Sequence, residues 1–107
     1  AFISWSVQNN GAVPVVLTGL EADWPDVPDS QGLHEVYWRG GPIAEGNDNQ
    51  PPSSLPGEIN WLGTPADREL GPQASTTLQL EFQEPLLPNG YSISLTFDNG
   101  CTVTASN

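Results

Sequence analysis

Residues 91–103 read YSISLTFDNGCTV, and this stretch decides the fold class. Apolar residues at every second position from Tyr91 to Phe97 alternate with small polar ones. That pattern is typical of an antiparallel strand with one face on a core and the other in water. Asp98-Asn99-Gly100 then predicts a three-residue hairpin loop, because Asn and Gly tolerate the positive φ that a tight reversal requires. The stretch therefore predicts two strands of one antiparallel sheet.

The same period of two recurs along the chain between turn signals, and no segment shows the 3.6-residue period of a helix. We predict strands at about 2–8, 13–21, 33–39, 58–62, 76–83, 91–98 and 101–106. Gly41-Pro42-Ile43 is expected to add a short edge segment, and residues 22–32 and 44–57 are expected to be loops. Seven short strands with this spacing predict an all-β fold, an antiparallel two-sheet sandwich of the immunoglobulin-like kind.

Chain length and net charge limit the number of domains, the partners and the location expected of this sandwich. A chain of 107 residues predicts one domain, 1–107. Thirteen acidic residues oppose only Arg39 and Arg68, for a formal net charge of -11. This charge argues against nucleic acid and anionic lipid as partners, and no apolar stretch is long enough for membrane insertion. An acidic surface otherwise rich in Ser, Thr, Asn and Gln favours an extracellular or cell-surface location.

The only cysteine, Cys101, cannot form a disulfide within the chain. Cys101 alternates with Val103 and Ala105, so we expect it to be a buried core thiol. The alternative is pairing between chains. The sequence opens at Ala1 directly into a strand-like run, which predicts processing of a longer precursor.

Two resemblances add to this interpretation. Leu87-Pro88-Asn89-Gly90-Tyr91 resembles the corner that enters the sixth strand of immunoglobulin-like and fibronectin type III-like sandwiches, where a Tyr bonds back to the backbone. Trp38 matches the buried Trp of their third strand. The antibody-type cysteine pair is missing, because Ile93 stands where the second cysteine would be.

The second resemblance covers most of the chain. It resembles β-sandwich modules of bacterial cell-surface and pilus-associated proteins, at residues 5–11 (WSVQNNG), 14–20 (PVVLTGL), Trp24-Pro25 and 95–103 (LTFDNGCTV). The resemblance implies a non-enzymatic structural subunit or module of a surface filament, with protein subunits or further copies of itself as partners. Open sheet edges are where such subunits would join.

Catalytic patterns are absent from the sequence. A hydrolase needs a nucleophile, a base and an orienting group within hydrogen-bond reach. The single histidine, His34, is expected to be a solvent-facing strand residue, and no Gly-X-Ser-X-Gly elbow occurs. Zinc is not expected either, with one His, one Cys and no ligand spacing. We therefore predict that the chain is not an enzyme and has no cofactor, with calcium as the one candidate ligand.

The candidate calcium ligands are carboxylates in the two predicted loops. They are Asp23, Asp26, Asp29 and Asp48, the first three at every third position. Calcium prefers hard oxygen ligands of this kind on irregular loops, although no EF-hand frame is present. Solvated loop charge is the alternative interpretation.

The tryptophans give a second function to consider. Carbohydrate-binding sandwiches stack sugar rings on exposed aromatic faces, and Trp24 and Trp61 are the two candidates for such exposure. The alternative interpretation is that these tryptophans cap the two ends of the sandwich. Trp5 and Trp38 fall in core register and are expected to be buried. A carbohydrate-binding module using Trp24 and Trp61 is thus the alternative to the structural role.

Overall fold

A computed structural model of the chain describes residues 1–25 and 32–107. Strands dominate it, and the described residues contain one helical segment, a short 3-10 helix at Pro65–Arg68. The strands are β1 (Phe2–Gln8), β2 (Val15–Asp23), β3 (Leu33–Trp38), β4 (Gly41–Asp48), β5 (Ser53–Leu55), β6 (Asn60–Trp61), β7 (Glu69–Leu70), β8 (Ser75–Phe82), β9 (Ser92–Phe97) and β10 (Thr102–Ser106). The described helical residues include no segment long and apolar enough to cross a membrane.

The strands form two antiparallel sheets. The first has the order β1-β8-β3-β4-β6, and the second has the order β10-β9-β2-β5, with β7 also paired to β2. Side chains from both sheets share one core cluster. The prediction of an all-β two-sheet sandwich is confirmed.

Alternation along the strands builds this core. Leu78, Leu80 and Phe82 of β8 are buried, as are the apolar residues of β9, while the residues between them are more exposed. Burying one such side chain contributes about 1.5–3 kcal/mol, so the period-two pattern selects which face of each strand turns inward.

The predicted tyrosine corner is present. Tyr91 is 1% exposed, and its hydroxyl oxygen accepts a hydrogen bond from the backbone N–H of Leu87 at 3.0 Å. Its ring lies edge-on to that of Phe82, with centroids 5.4 Å apart. Trp38 is buried on β3, also as predicted.

The grouping of strands differs from that of immunoglobulin sandwiches. In those, the third, sixth and seventh strands lie in one sheet. Here β3 lies in the first sheet, whereas β9 and β10, the predicted sixth and seventh strands, lie in the second. The tyrosine corner and the buried tryptophan therefore come from opposite sheets.

The predicted hairpin between β9 and β10 is confirmed. The backbone N–H of Gly100 donates to the carbonyl of Phe97 at 2.9 Å, and Gly100 has a φ of +86°. The N–H of Phe97 in turn donates to the carbonyl of Cys101 at 3.0 Å. Gly supplies the left-handed conformation that the loop needs.

The middle of the chain departs most from the prediction. The expected short edge at 41–43 is the full strand Gly41–Asp48, and the expected loop at 44–57 also contains Ser53–Leu55. The predicted strand at 58–62 shrinks to Asn60–Trp61. Pairing of β4 with β3 and β6 on its two sides outweighs the low strand propensity of its Gly, Asn and Asp residues.

Candidate functional site

The two described candidate calcium ligands, Asp23 and Asp48, each accept a backbone N–H within their own turn. Asp23 ends β2, and its Oδ1 accepts the backbone N–H of Trp24 at 3.0 Å. Asp48 ends β4, and its Oδ1 accepts the N–H of Gln50 at 2.9 Å. Through these oxygens both carboxylates stabilise their own turns. Among the described residues, the other oxygen of Asp48, Oδ2, is buried without a hydrogen-bond partner. Asp26 and Asp29 lie outside the described residues.

The structure buries Trp24, one of the two tryptophans that the carbohydrate-binding alternative needs at the surface. Trp24 is 3% exposed and packs edge-on against Phe82, with centroids 5.4 Å apart. Trp61 is partly exposed, but the guanidinium of Arg68 lies 4.6 Å from its ring centroid. Trp5, expected in the core, is only partly buried. Trp24 cannot stack on a sugar, so the carbohydrate-binding alternative keeps only Trp61.

The expectation of a buried thiol is also wrong, because Cys101 is exposed. Val103, two residues on, is 44% exposed. Apolar and polar residues do alternate along β10. However, β10 is the last strand of its sheet, and four of its five residues are exposed. On the apolar face of this terminal strand, Ala105 packs against the core, whereas Val103 stays exposed.

A groove beside β10 extends this exposed apolar surface. It has a volume of about 290 Å³ and a mostly apolar lining, to which Val15, Leu70, Phe97, Cys101 and Val103 contribute. Gln8, at the end of β1, also lines it, so the terminal strands of both sheets meet there.

The charge distribution singles out the same region. No charged side chain occurs in residues 1–20 or 99–107, which contain β1 and β10. The charged residues of this -11 chain therefore all lie in residues 21–98. Natural sheet edges are commonly protected from pairing by charged residues, and these two edges have none.

A second feature lies on the outer face of the first sheet. Nitrogen and carboxylate oxygen atoms of His34, Glu35 and Glu81 all lie within 4.8 Å of one another. Among the described residues this is the one group of three or more His, Cys, Asp or Glu side chains arranged so that they could hold a metal ion. It contains neither Asp23 nor Asp48. We call these three residues the His-Glu-Glu cluster.

A β-bulge creates this cluster. The pairing of β3 with β8 shifts register between Leu33 and Glu35, and the pairing of β3 with β4 shifts there too. Consecutive residues on a regular strand point to opposite faces, but a bulge adds one residue and re-aims a side chain. His34 and Glu35 consequently share a face, with His34 Nε2 lying 3.5 Å from Glu35 Oε1.

Residues outside the cluster fix the orientation of its side chains. His34 Nδ1 lies 2.9 Å from the carbonyl oxygen of Gly46, and Tyr37 donates its hydroxyl to Glu35 Oε2 at 2.9 Å. This hydrogen bond to Glu35, with the negative charges of Glu35, Glu81 and Glu45 nearby, raises the pKa of Tyr37 above its ordinary value. Sequence analysis missed the cluster because neither the bulge nor the register of Glu81 has a local signal.

Comparison with known proteins identifies no relative: no family model, no curated protein and no solved structure matches the chain.

Proposed function

We propose that the chain is a non-enzymatic structural module of an extracellular, filament- or pilus-type assembly, and that copies of it associate through strand β10. The observation that carries this proposal is an uncharged terminal strand, with four of its five residues exposed, beside an apolar groove in a chain whose formal net charge is -11.

Charge explains why association would use this edge. Two copies of an acidic chain repel each other over about 8 Å at physiological ionic strength. Contact is least opposed where no charged side chain lies, which is the case for residues 99–107. The remaining acidic surface keeps other faces apart and so restricts where copies meet.

The backbone of β10 supplies the means of association. One side of β10 pairs with β9, and the other side ends the sheet. A strand from a second copy can add there through main-chain hydrogen bonds. Exposed Val103 and the neighbouring groove then give apolar surface for the partner to cover. We propose a second copy as the occupant, because two uncharged β10 strands can meet without burying an unpaired charge.

The extracellular location is part of the same proposal. An acidic coat keeps an exported domain dispersed until its specific contacts form. The resemblance of residues 5–11, 14–20 and 95–103 to surface and pilus-associated modules supports this location.

The test compares two added charges at opposite edges. Val103→Glu places a carboxylate on β10, and Asn60→Glu places one on β6, the terminal strand at the far side of the first sheet. Asn60, like Val103, is exposed, so neither change disturbs the core. Each variant adds one negative charge to the same net charge, so general repulsion rises equally in both.

Sedimentation velocity over a concentration series should show that wild type and Asn60→Glu associate. Both should associate more strongly in 1 M salt, where the screening length falls to about 3 Å. Val103→Glu should stay monomeric at the same concentrations. A wild type that remains monomeric throughout, or equal association of both variants, would overturn the proposal.

A further inference from the structure

We propose that His34, Glu35 and Glu81 bind a divalent transition-metal ion of the zinc class, with water completing the coordination. This site is independent of the proposed association through β10, since none of its residues lies on that strand.

The histidine is prepared as a ligand. The carbonyl of Gly46 can only accept a hydrogen bond, so His34 Nδ1 must be the donor across the 2.9 Å between them. In the neutral ring the lone pair then resides on Nε2. That atom faces Glu35 Oε1 at 3.5 Å. Histidine ligands in metal sites are commonly held through their other nitrogen in this way.

The first glutamate is oriented from the opposite side. Tyr37 donates its hydroxyl to Oε2 of Glu35, which leaves Oε1 directed at the histidine. A carboxylate held through one oxygen offers the other as a monodentate ligand. His34 and Glu35 therefore each have a supporting partner outside the cluster, one from β4 and one from β3.

The second glutamate comes from the neighbouring strand. Glu81 of β8 pairs directly with Glu35 of β3, and Glu45 of β4 pairs with Glu35 on its other side. Like charges directly opposite one another on neighbouring strands destabilise a sheet. Arg39 and Arg68 make their side-chain hydrogen bonds to the carbonyls of Glu69 and Leu17, away from this cluster. A bound cation would offset the repulsion between Glu35 and Glu81.

The donor set selects the class of ion. One imidazole nitrogen and two carboxylate oxygens suit zinc and its neighbours, which take three protein ligands and a water in tetrahedral sites. Calcium needs six to eight oxygen ligands, and Glu35 has one oxygen engaged by Tyr37. Calcium is therefore expected to bind far more weakly than zinc.

The test is metal titration of the full chain after removal of metal with a chelator. Zinc is added in competition with a chromophoric chelator, and cobalt(II) is added separately to read ligand geometry from its visible absorption. We expect one ion per chain and absorption typical of four-coordinate cobalt.

Two isosteric variants separate a site from general attraction to an acidic chain. Removing a residue that only supports a metal ligand weakens metal binding by up to about a hundredfold. Glu81→Gln removes a ligand itself, so it should weaken zinc binding by about that upper value. Glu45→Gln removes the same charge from the adjacent strand and should weaken it by less than about fivefold, as expected of one exposed charge. His34→Gln should abolish the cobalt spectrum. Circular dichroism confirms that each variant is folded.

Equal affinity of Glu81→Gln and Glu45→Gln would overturn the proposal, because it would mean that only net charge attracts the ion. A zinc affinity that calcium matches, or no saturable zinc binding by the wild type, would overturn it as well.

Discussion

Replacing Arg68 by Met should destabilise the fold by about 2–3 kcal/mol. Arg68 is one of two arginines in a chain with thirteen acidic residues and no lysine. Arg68 is 8% exposed, and its Nε–H donates to the backbone carbonyl of Leu17 at 2.8 Å. Among the described residues, no carboxylate oxygen lies within 4.0 Å of the Arg68 guanidinium, so no carboxylate neutralises Arg68. Its role is to link the 3-10 helix to β2.

The magnitude follows from two contacts. A hydrogen bond from a charged donor contributes about 1.5–3 kcal/mol, and a cation over an aromatic ring adds about 0.5–2 kcal/mol. Arg68 makes the first with Leu17 and the second with Trp61. Methionine keeps apolar packing and avoids burying a charge, which places the net loss near the lower part of the sum. That loss is a large fraction of the 5–15 kcal/mol typical of a domain.

Arg39→Met is the matched control, because it removes the same guanidinium and changes the net charge equally. Arg39 is exposed, and its side chain donates to the carbonyl of Glu69 at 3.2 Å. Its backbone φ of +55° is equally unfavourable for Arg and Met, so the substitution adds no strain. Arg39→Met should therefore lower the free energy of unfolding by less than about 1 kcal/mol.

Urea unfolding followed by tryptophan fluorescence measures both variants. A lower midpoint with an unchanged slope identifies a loss of stability. Arg68→Lys keeps the charge but loses the planar group over Trp61, and should fall between wild type and Arg68→Met. If the two Met variants, Arg68→Met and Arg39→Met, lower the free energy of unfolding by amounts within about 0.5 kcal/mol of each other, the role assigned to Arg68 is refuted. The contacts of Arg68 would then contribute no more than those of an ordinary surface residue.

Three further predictions rest on single groups. Tyr91→Phe leaves the N–H of Leu87 without its acceptor and should lower the free energy of unfolding by about 1–3 kcal/mol; equal urea midpoints would contradict this. The pKa of Tyr37 is raised in the folded protein, so the stability that Tyr37 contributes is complete below the unfolded pKa of about 10. This contribution is lost as the pH rises from there through the raised pKa of the folded state. In metal-free buffer the wild type should therefore lose stability more steeply than Tyr37→Phe above that pH, and parallel curves would refute the assignment. Cys101 should react with a thiol reagent in the dilute native protein as fast as in urea, and protection would show that it is covered.

The parts of the fold that were predictable from sequence depend on neighbouring residues. The alternation from Tyr91 to Phe97 places a strand because each side chain's face follows from its parity. The loop at Gly100 follows from conformational preferences of two or three residues. Such features carry their whole signal within about ten positions, and the structure confirms them.

The parts that failed depend on distant pairing. Gly46, Asn47 and Asp48 have low strand propensity, and they are extended because the beginning of β3 pairs beside them. The face of Cys101 was predicted from alternation, but alternation cannot show whether that face has a cover. The His-Glu-Glu cluster required both a bulge on β3 and the register of β8, and neither is encoded near His34.

The position of the cluster also distinguishes the two uncharged edges. Phe2, on β1, pairs with Glu81 and is 47% exposed, with its ring 5.9 Å from that of Tyr37. A partner strand added to β1 would lie two strand spacings from Glu81, about 10 Å, so an ion bound there would change the potential that the partner meets. A partner added to β10 joins the other sheet. Zinc would then affect association only through net charge, and 1 M salt would remove the effect of zinc. If copies instead met at β1, part of the zinc effect would persist in 1 M salt, because charges that a partner strand shields from solvent are screened less.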